Sequence, residues 1–330
     1  MTENVLKSIE QLDITATKIG SGASWTGQSS GIGSVMGSTW SQKIIFDAQP
    51  DRVLSKYFLE FTDLMGNNDV TLVIPKIGDV DLMGSRAAVA EGATRVMTKF
   101  DGAENITVNL TSYDVKLGGA AISFETASAT RVSIIEMAHK QLVRQYLETI
   151  ETDANSILEN SSTGNSVYGG DATSTATLET GDVITVDKII DMKIELQKDN
   201  FAKKARDGVI FIAPEQYKQL LKSSQFTNAS EFGSNSVVTK GVIEEYVGII
   251  VEVSTLVTAA TTWGAGGATS GHYVYMIDPT AAAGIVWKEK AKVKVVTEDD
   301  ERVHKVLLDA WYKMTVINSN AICLGYFTNA

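Results

Sequence analysis

The sequence predicts an α+β chain. Three observations predict it: one long stretch of helical periodicity at 129–159, period-two strand patterns on both sides of it, and a region at 183–286 in which helix and strand patterns alternate. A length of 330 residues corresponds to about two domains or lobes. Apolar residues make up 44% and charged residues 21%, a globular composition. Lys plus Arg is 29 against Asp plus Glu 40, a net charge of −11 that opposes general binding to nucleic acid or anionic membrane. The single cysteine, Cys323, excludes an intramolecular disulfide and a cysteine-based metal site. No apolar run approaches the ~18 residues that span a bilayer. The start, Met1-Thr2-Glu3-Asn4, lacks the basic region and apolar core of a signal peptide, which predicts folding in a cytoplasm.

In chain order, residues 4–14 suit a short amphipathic helix. Residues 19–38 are almost wholly Gly, Ser, Ala and Thr around Trp25, Ile32, Val35 and Met36. Such a segment cannot fold alone and reads as an arm ordered against something else. Residues 40–65 suit a strand followed by a short helix. Residues 69–75 read as a strand, 76–105 as a polar excursion, and alternation returns over Ile106–Leu117 and Ala120–Phe124. These segments predict a long two-stranded finger. A lone hairpin is marginal in water, so the finger should lean on a neighbouring molecule.

The helix at 129–159 carries Ile135, Leu142, Tyr146, Ile150, Ala154 and Ile157 on one stripe, with Glu136, Lys140 and Arg144 on its polar face. Its length of ~45 Å suits a structural spine. A polar loop to about Gly181 follows. The lobe at 183–286 is expected to contain a helix from Val186 to Leu196, a strand at 209–213, a helix opened by Pro214, and strands at 248–254 and 272–277, with loops at 223–239 and 260–271. Strands at 284–297 and 303–317, joined by an acidic turn, and an apolar stretch at 321–327 close the chain.

The chemical motifs are weak. Gly27-Gln28-Ser29-Ser30-Gly31 matches the nucleophile-elbow pattern but lacks the strand that must precede it; a serine hydrolase using Ser29 is the reading from another class. Gly31-x-Gly33-x-x-x-Gly37 departs from a dinucleotide fingerprint and follows no strand. His139, His272 and His304 are far apart in sequence. Glu298-Asp299-Asp300-Glu301 lacks the spaced ligands of a calcium loop and reads as a solvated hairpin turn. Lys288, Lys290, Lys292 and Lys294 recur at period two and should form one cationic strand face, either solvated and edge-protecting or meeting an acidic neighbour or nucleic acid phosphate. No cofactor or metal is expected. What remains is an arm and a finger that need partners, as in a protein that assembles with its own copies.

The chain resembles the major capsid proteins of tailed double-stranded DNA viruses, the Hong Kong 97-type shell fold. The likeness rests on Ala90-Glu91-Gly92-Ala93 and the strand pair ending Ile122-Ser-Phe-Glu125, on the long helix directly after it, on Val209-Ile-Phe-Ile-Ala-Pro-Glu-Gln-Tyr with Tyr246-Val-Gly-Ile-Ile-Val-Glu-Val-Ser, and on Tyr312-Lys-Met-Thr-Val-Ile-Asn-Ser-Asn-Ala-Ile. Their order over about 40–327 is the argument.

The resemblance implies an N-terminal arm (1–45), a peripheral domain (46–75 and 106–182) with a spine helix (129–159), an extended loop (76–105), an axial domain (183–286), and a return of 287–330 to both domains. It implies self-assembly into pentamers and hexamers of an icosahedral shell around DNA, made in a host cytoplasm. Separate scaffold and portal proteins and a decoration protein would be its partners. Candidate intersubunit contacts are Trp25 and Trp40 in the arm, Glu91 and Arg95 in the loop, and Lys288 and Lys290 at the subunit border. Lys140 and Arg144 are candidate inner-face or DNA-proximal residues. An encapsulin-type compartment is the alternative within the fold.

Overall fold

The computed structural model describes residues 52–77, 103–129, 134–161, 163–204, 207–223, 243, 245–267 and 269–329. Apart from 128 and 129, these belong to one compact unit. The arm, the loop at 78–102 and the motif around Ser29 lie outside the described residues.

Two sheets share one long helix. The first sheet has the order β1 (Leu59–Phe61), β11 (Ala283–Glu298), β12 (Val303–Val316), β4 (Val115–Ser123). Its β1 runs parallel to β11, and the other neighbours are antiparallel. The second has the order β5 (Ser166–Tyr168), β13 (Ile322–Thr328), β10 (Thr269–Ile277), β6 (Gly208–Ile212), β8 (Ile249–Val253), β7 (Glu245–Tyr246), with β9 (Ala259–Trp263) also on β10. A separate antiparallel pair, β2 (Thr71–Ile77) with β3 (Ala103–Asn109), runs in register from Thr71–Asn109 to Ile77–Ala103.

The helices are α1 (Phe124–Ala129), α2 (Ile134–Glu159), α3 (Val186–Lys198) and α4 (Pro214–Leu221). At ~1.5 Å per residue, the 26 residues of α2 extend about 39 Å. Its Ile150, Ala154 and Leu158 enter a core built from both sheets, with Ile285, Trp287, Ala310 and Tyr312 from the first and Phe211, Tyr275, Ile277 and Leu324 from the second. Nearer its start, Leu142 packs on Ile122, Val306 and Leu308 of the first sheet. The other face of the second sheet is covered by Ile189, Met192 and Leu196 of α3 and Leu220 of α4. Burial on both faces explains why β6 reads Gly-Val-Ile-Phe-Ile with no polar alternation.

Several expected elements stand: the spine helix, the helix from Val186, the helix opened by Pro214, the strands near 209, 249 and 272, and the closing hairpin with its acidic turn. Others are corrected. Of the spine helix the described part is Ile134–Glu159, and Phe124–Ala129, expected as the end of a strand, is also helical. The second strand of the finger stops at Asn109. There the carboxylate of Asp114 accepts the Thr111 backbone N–H at 2.7 Å and its hydroxyl at 2.9 Å, capping a 3-10 turn at Ser112–Asp114. The alternation that continues beyond it belongs to β4, which leaves the finger to pair with β12. The strand expected at the start of 40–65 lies outside the described residues; where the short helix was expected, a 3-10 turn (Ser55–Tyr57) is followed by the strand β1. Two short strands, β5 and β9, lie where loops were expected, because each completes a sheet edge with little apolar pattern of its own.

Candidate assembly surfaces

The finger is rooted rather than free-standing. Val108, Leu110, Leu64 and Val286 are buried together, with Phe61, Leu72, Ile74, Ile106 and Trp311 packed around them. Two lysines of the first sheet pin the two ends of this root. The Lys288 ammonium donates to the carbonyls of Asn67 and Asp69, where the chain enters β2. The Lys313 ammonium donates to the Asn109 carbonyl at 2.8 Å, where β3 ends, and lies 3.5 Å from the Asp114 carboxylate. Partial burial pushes the Asp114 carboxyl up, but the Thr111 donors and the Lys313 charge outweigh it and hold the group below its ordinary value. On the opposite side of β2 from the root cluster, Val73 is 51% exposed.

The entry of the chain into the core is fixed by Glu151. This carboxylate is fully buried on α2 and accepts backbone N–H groups from Val53 at 2.9 Å, Leu54 at 2.7 Å and Ser55 at 3.0 Å, together with the Ser55 hydroxyl. The same turn reaches the second sheet, because Lys56 and Tyr57 both bond Glu252 of β8, at 2.7 and 2.6 Å.

The first sheet has one covered and one open face. Along β12, Val306, Leu308, Ala310 and Tyr312 point to the core and the intervening residues to the other side. In β4 the second set comprises Leu117, Gly119 and Ala121, all exposed, and Leu117 is 75% exposed. Register places them beside Asp309, Leu307 and Lys305. Small residues, Gly119 and Ala121, occupy the edge strand of this open face. Its edge strand, β4, pairs on one side only among the described residues.

The period-two lysines share a face only in part: Lys292 and Lys294 lie opposite Asp309 and Leu307, on the open face. Trp287 pairs with Tyr312, Glu289 with Trp311 and Lys292 with Asp309, so β11 carries an extra residue at each of two bulges. The two extra residues offset each other in phase, so only the stretch between the bulges, with Lys290, is displaced, and every lysine finds a different partner. Lys288 holds the finger root; Lys290 lies 3.8 Å from Glu60, Lys292 pairs with Glu289, and Lys294 lies 3.6 Å from Asp309. Lys140 is exposed and pairs with Glu136 at 2.8 Å, while Arg144, one turn on, is half-buried. Trp25, Trp40, Glu91 and Arg95 lie outside the described residues. Sequence reasoning missed Glu151 and Lys313. For Glu151 a signal existed: it is a charge set between Ile150 and Ala154 on the apolar stripe. Among the described residues no group of three His, Cys, Asp or Glu could hold a metal ion.

A shared core with an outward finger is an architecture for interlocking, and comparison identifies its kind. Residues 116–324 match the family described as phage capsid protein. The chain belongs to that family.

Solved capsid structures agree in fold. The capsid of cyanophage P-SCSP1u matches at a TM-score of 0.69 and 13% identity, over 92% of this chain and 97% of that one. The mature capsid of bacteriophage PhiM1 matches at 0.68 and 10%, over 94% and 98%, and that of cyanophage Pam1 at 0.66 and 16%, over 94% and 99%. No individually curated protein matches by sequence. The capsid protein thus has the Hong Kong 97-type shell fold and is a structural major capsid protein located in the virion shell. Family membership sets aside the hydrolase reading of Ser29.

Proposed function

We propose that this capsid protein closes into pentamers and hexamers of an icosahedral shell around packaged double-stranded DNA, assembling in the host cytoplasm on a separate scaffold and about a portal. In this reading the first sheet, the finger root and α2 are the peripheral domain, the second sheet with α3 and α4 is the axial domain, 76–105 is the extended loop, and 1–45 is the arm laid over a neighbour. Glu91, Arg95, Trp25 and Trp40 are its intersubunit contacts, and Lys140 and Arg144 face the interior. Lys288 and Lys290 stand at the subunit border. A decoration protein is a further partner on the outside.

The finger carries the proposal. Its root is fastened by an apolar cluster and two lysines, whereas Val70 just before β2 and Val73 on it stay exposed. The net charge of −11 supports enclosure of DNA without sequence-specific binding.

The test is negative-stain electron microscopy with size-exclusion chromatography, on the full chain and on a chain in which residues 78–102 are replaced by a short glycine turn. The full chain, co-expressed with its viral neighbours, is expected to give closed shells containing DNA. The shortened chain is expected to stay folded and fail to close. Normal shells from the shortened chain would refute the role of the finger, and shells filled with a protein cargo would favour the compartment reading.

A further inference from the structure

The β11–β12 hairpin carries opposite charge at its two ends. At its base is a groove of about 530 Å³ lined by Met65, Asn67, Lys288, Lys290, Lys292 and Trp311, with Glu289 also on its wall. Three lysines therefore line it against one carboxylate, and the buried indole N–H of Trp311 has no acceptor among the described residues. Lys288 is held by the carbonyls of Asn67 and Asp69 and Lys292 by Glu289, which leaves Lys290 the most loosely held cation of the groove. Lys290 is exposed and sits 3.8 Å from Glu60, too far for a close pair, and lies 5.9 Å from the Trp287 ring centre. At the tip the balance reverses. Lys305 is taken by Glu298 and Glu301, and Arg302 by Glu125 at 2.9 Å. Asp299 and Asp300 are exposed, and neither has a cationic partner among the described residues.

These ends cannot meet within one chain. From Lys290 to Asp300 the strand advances about 30 Å at ~3.3 Å per residue, and pairing from Lys292–Asp309 to Glu298–Val303 holds it extended. In a chain of net charge −11 most surfaces repel an acidic loop, so a lysine groove is a selective seat for one.

We propose that the acidic tip of one copy, through Asp299 and Asp300, docks in the Lys288–Lys290–Lys292 groove of another. This rests on the shell reading above and names a contact within it. The contact joins two different surfaces, head to tail, which is the kind of contact that generates rings and closed shells instead of isolated pairs.

The experiment uses shells assembled from the full chain. A chain carrying both Ala291→Cys and Asp300→Cys places one thiol in the groove and one at the tip, while native Cys323 is buried. Mild oxidation of its shells should give chain-to-chain disulfides as a ladder on a non-reducing gel, and each single-cysteine chain should give no ladder. In parallel, Asp299→Lys with Asp300→Lys, and separately Lys290→Glu with Lys292→Glu, should each reduce shell yield severalfold. Combining all four should restore it, with unchanged far-ultraviolet circular dichroism throughout. Shells that form without the ladder would overturn the docking and leave the shell function intact. So would tip variants that assemble at full yield, or groove variants whose only defect is loss of packaged DNA. Failure of the unaltered chain to form shells under any scaffold would instead strike the shell reading itself.

Discussion

The buried carboxylate of Glu151 and the backbone of Ser55 are joined head-on: the Ser55 N–H donates at 3.0 Å and its hydroxyl donates to the same oxygen. With Val53 and Leu54 on the other oxygen, one side chain of the spine helix satisfies three backbone donors. Glu151→Ala strands them. At roughly 1–3 kcal/mol for each buried donor left without an acceptor, the expected loss is about 3 kcal/mol or more. Glu151→Gln retains one acceptor oxygen and should lose less. Denaturant unfolding of the unassembled subunit measures both, and equal losses would contradict this account.

Tyr146 predicts an alkaline effect. Burial pushes its phenol up from 10.0 to about 12, with a smaller opposing influence from Arg52. The folded value lies above the unfolded one, so this contribution is complete below pH 10 and is lost as pH rises from 10 through 12. The hydroxyl is also buried without a hydrogen-bond partner. Tyr146→Phe should therefore be neutral to stabilising at pH 7 and flatten the alkaline fall in stability. A large loss at pH 7 would show that the hydroxyl has an essential partner.

Gly271 sits where β10 meets both β9 and β13. A Cβ there would lie 2.3 Å from the Phe327 carbonyl oxygen and 2.5 Å from the Trp263 ring. Gly271→Ala should cost about 1–3 kcal/mol by overpacking. Gly164→Ala, with nothing within 4 Å, serves as the near-neutral comparison. Scanning calorimetry of the two variants decides it.

Leu117→Lys probes the open face. The side chain is 75% exposed, so subunit stability should change by less than about 0.5 kcal/mol. A charge on that open surface should lower the yield of closed shells, read by sedimentation. Unaltered assembly would remove this face from the list of subunit contacts.

Much of this was legible from pattern. The spine helix shows itself because Leu142, Ile150, Ala154 and Leu158 recur on one stripe, and β6 because it is apolar at every position. The end of the finger at Asn109 was not, since the Asp114 cap that breaks it leaves the alternation on both sides intact. The displacement of Lys290 was hidden because a bulge is a property of pairing: only the partner strand reveals that β11 carries two extra residues. Lys313 was invisible for the same reason, as its acceptor lies 204 positions earlier. The intersubunit residues assigned to the arm and loop remain part of the proposed function.

Such separations also govern time. Leu59 pairs with Gly284, and Lys116 with Ala310. Loop closure costs grow only logarithmically with length, so distance weakens the final state little. It slows the search instead, because distant strands must find register before any contact rewards them. Refolding from denaturant should be slow and prone to side reactions between unpaired edges. A cell making many copies at once would have to keep young chains apart until β11 has been captured between β1 and β12.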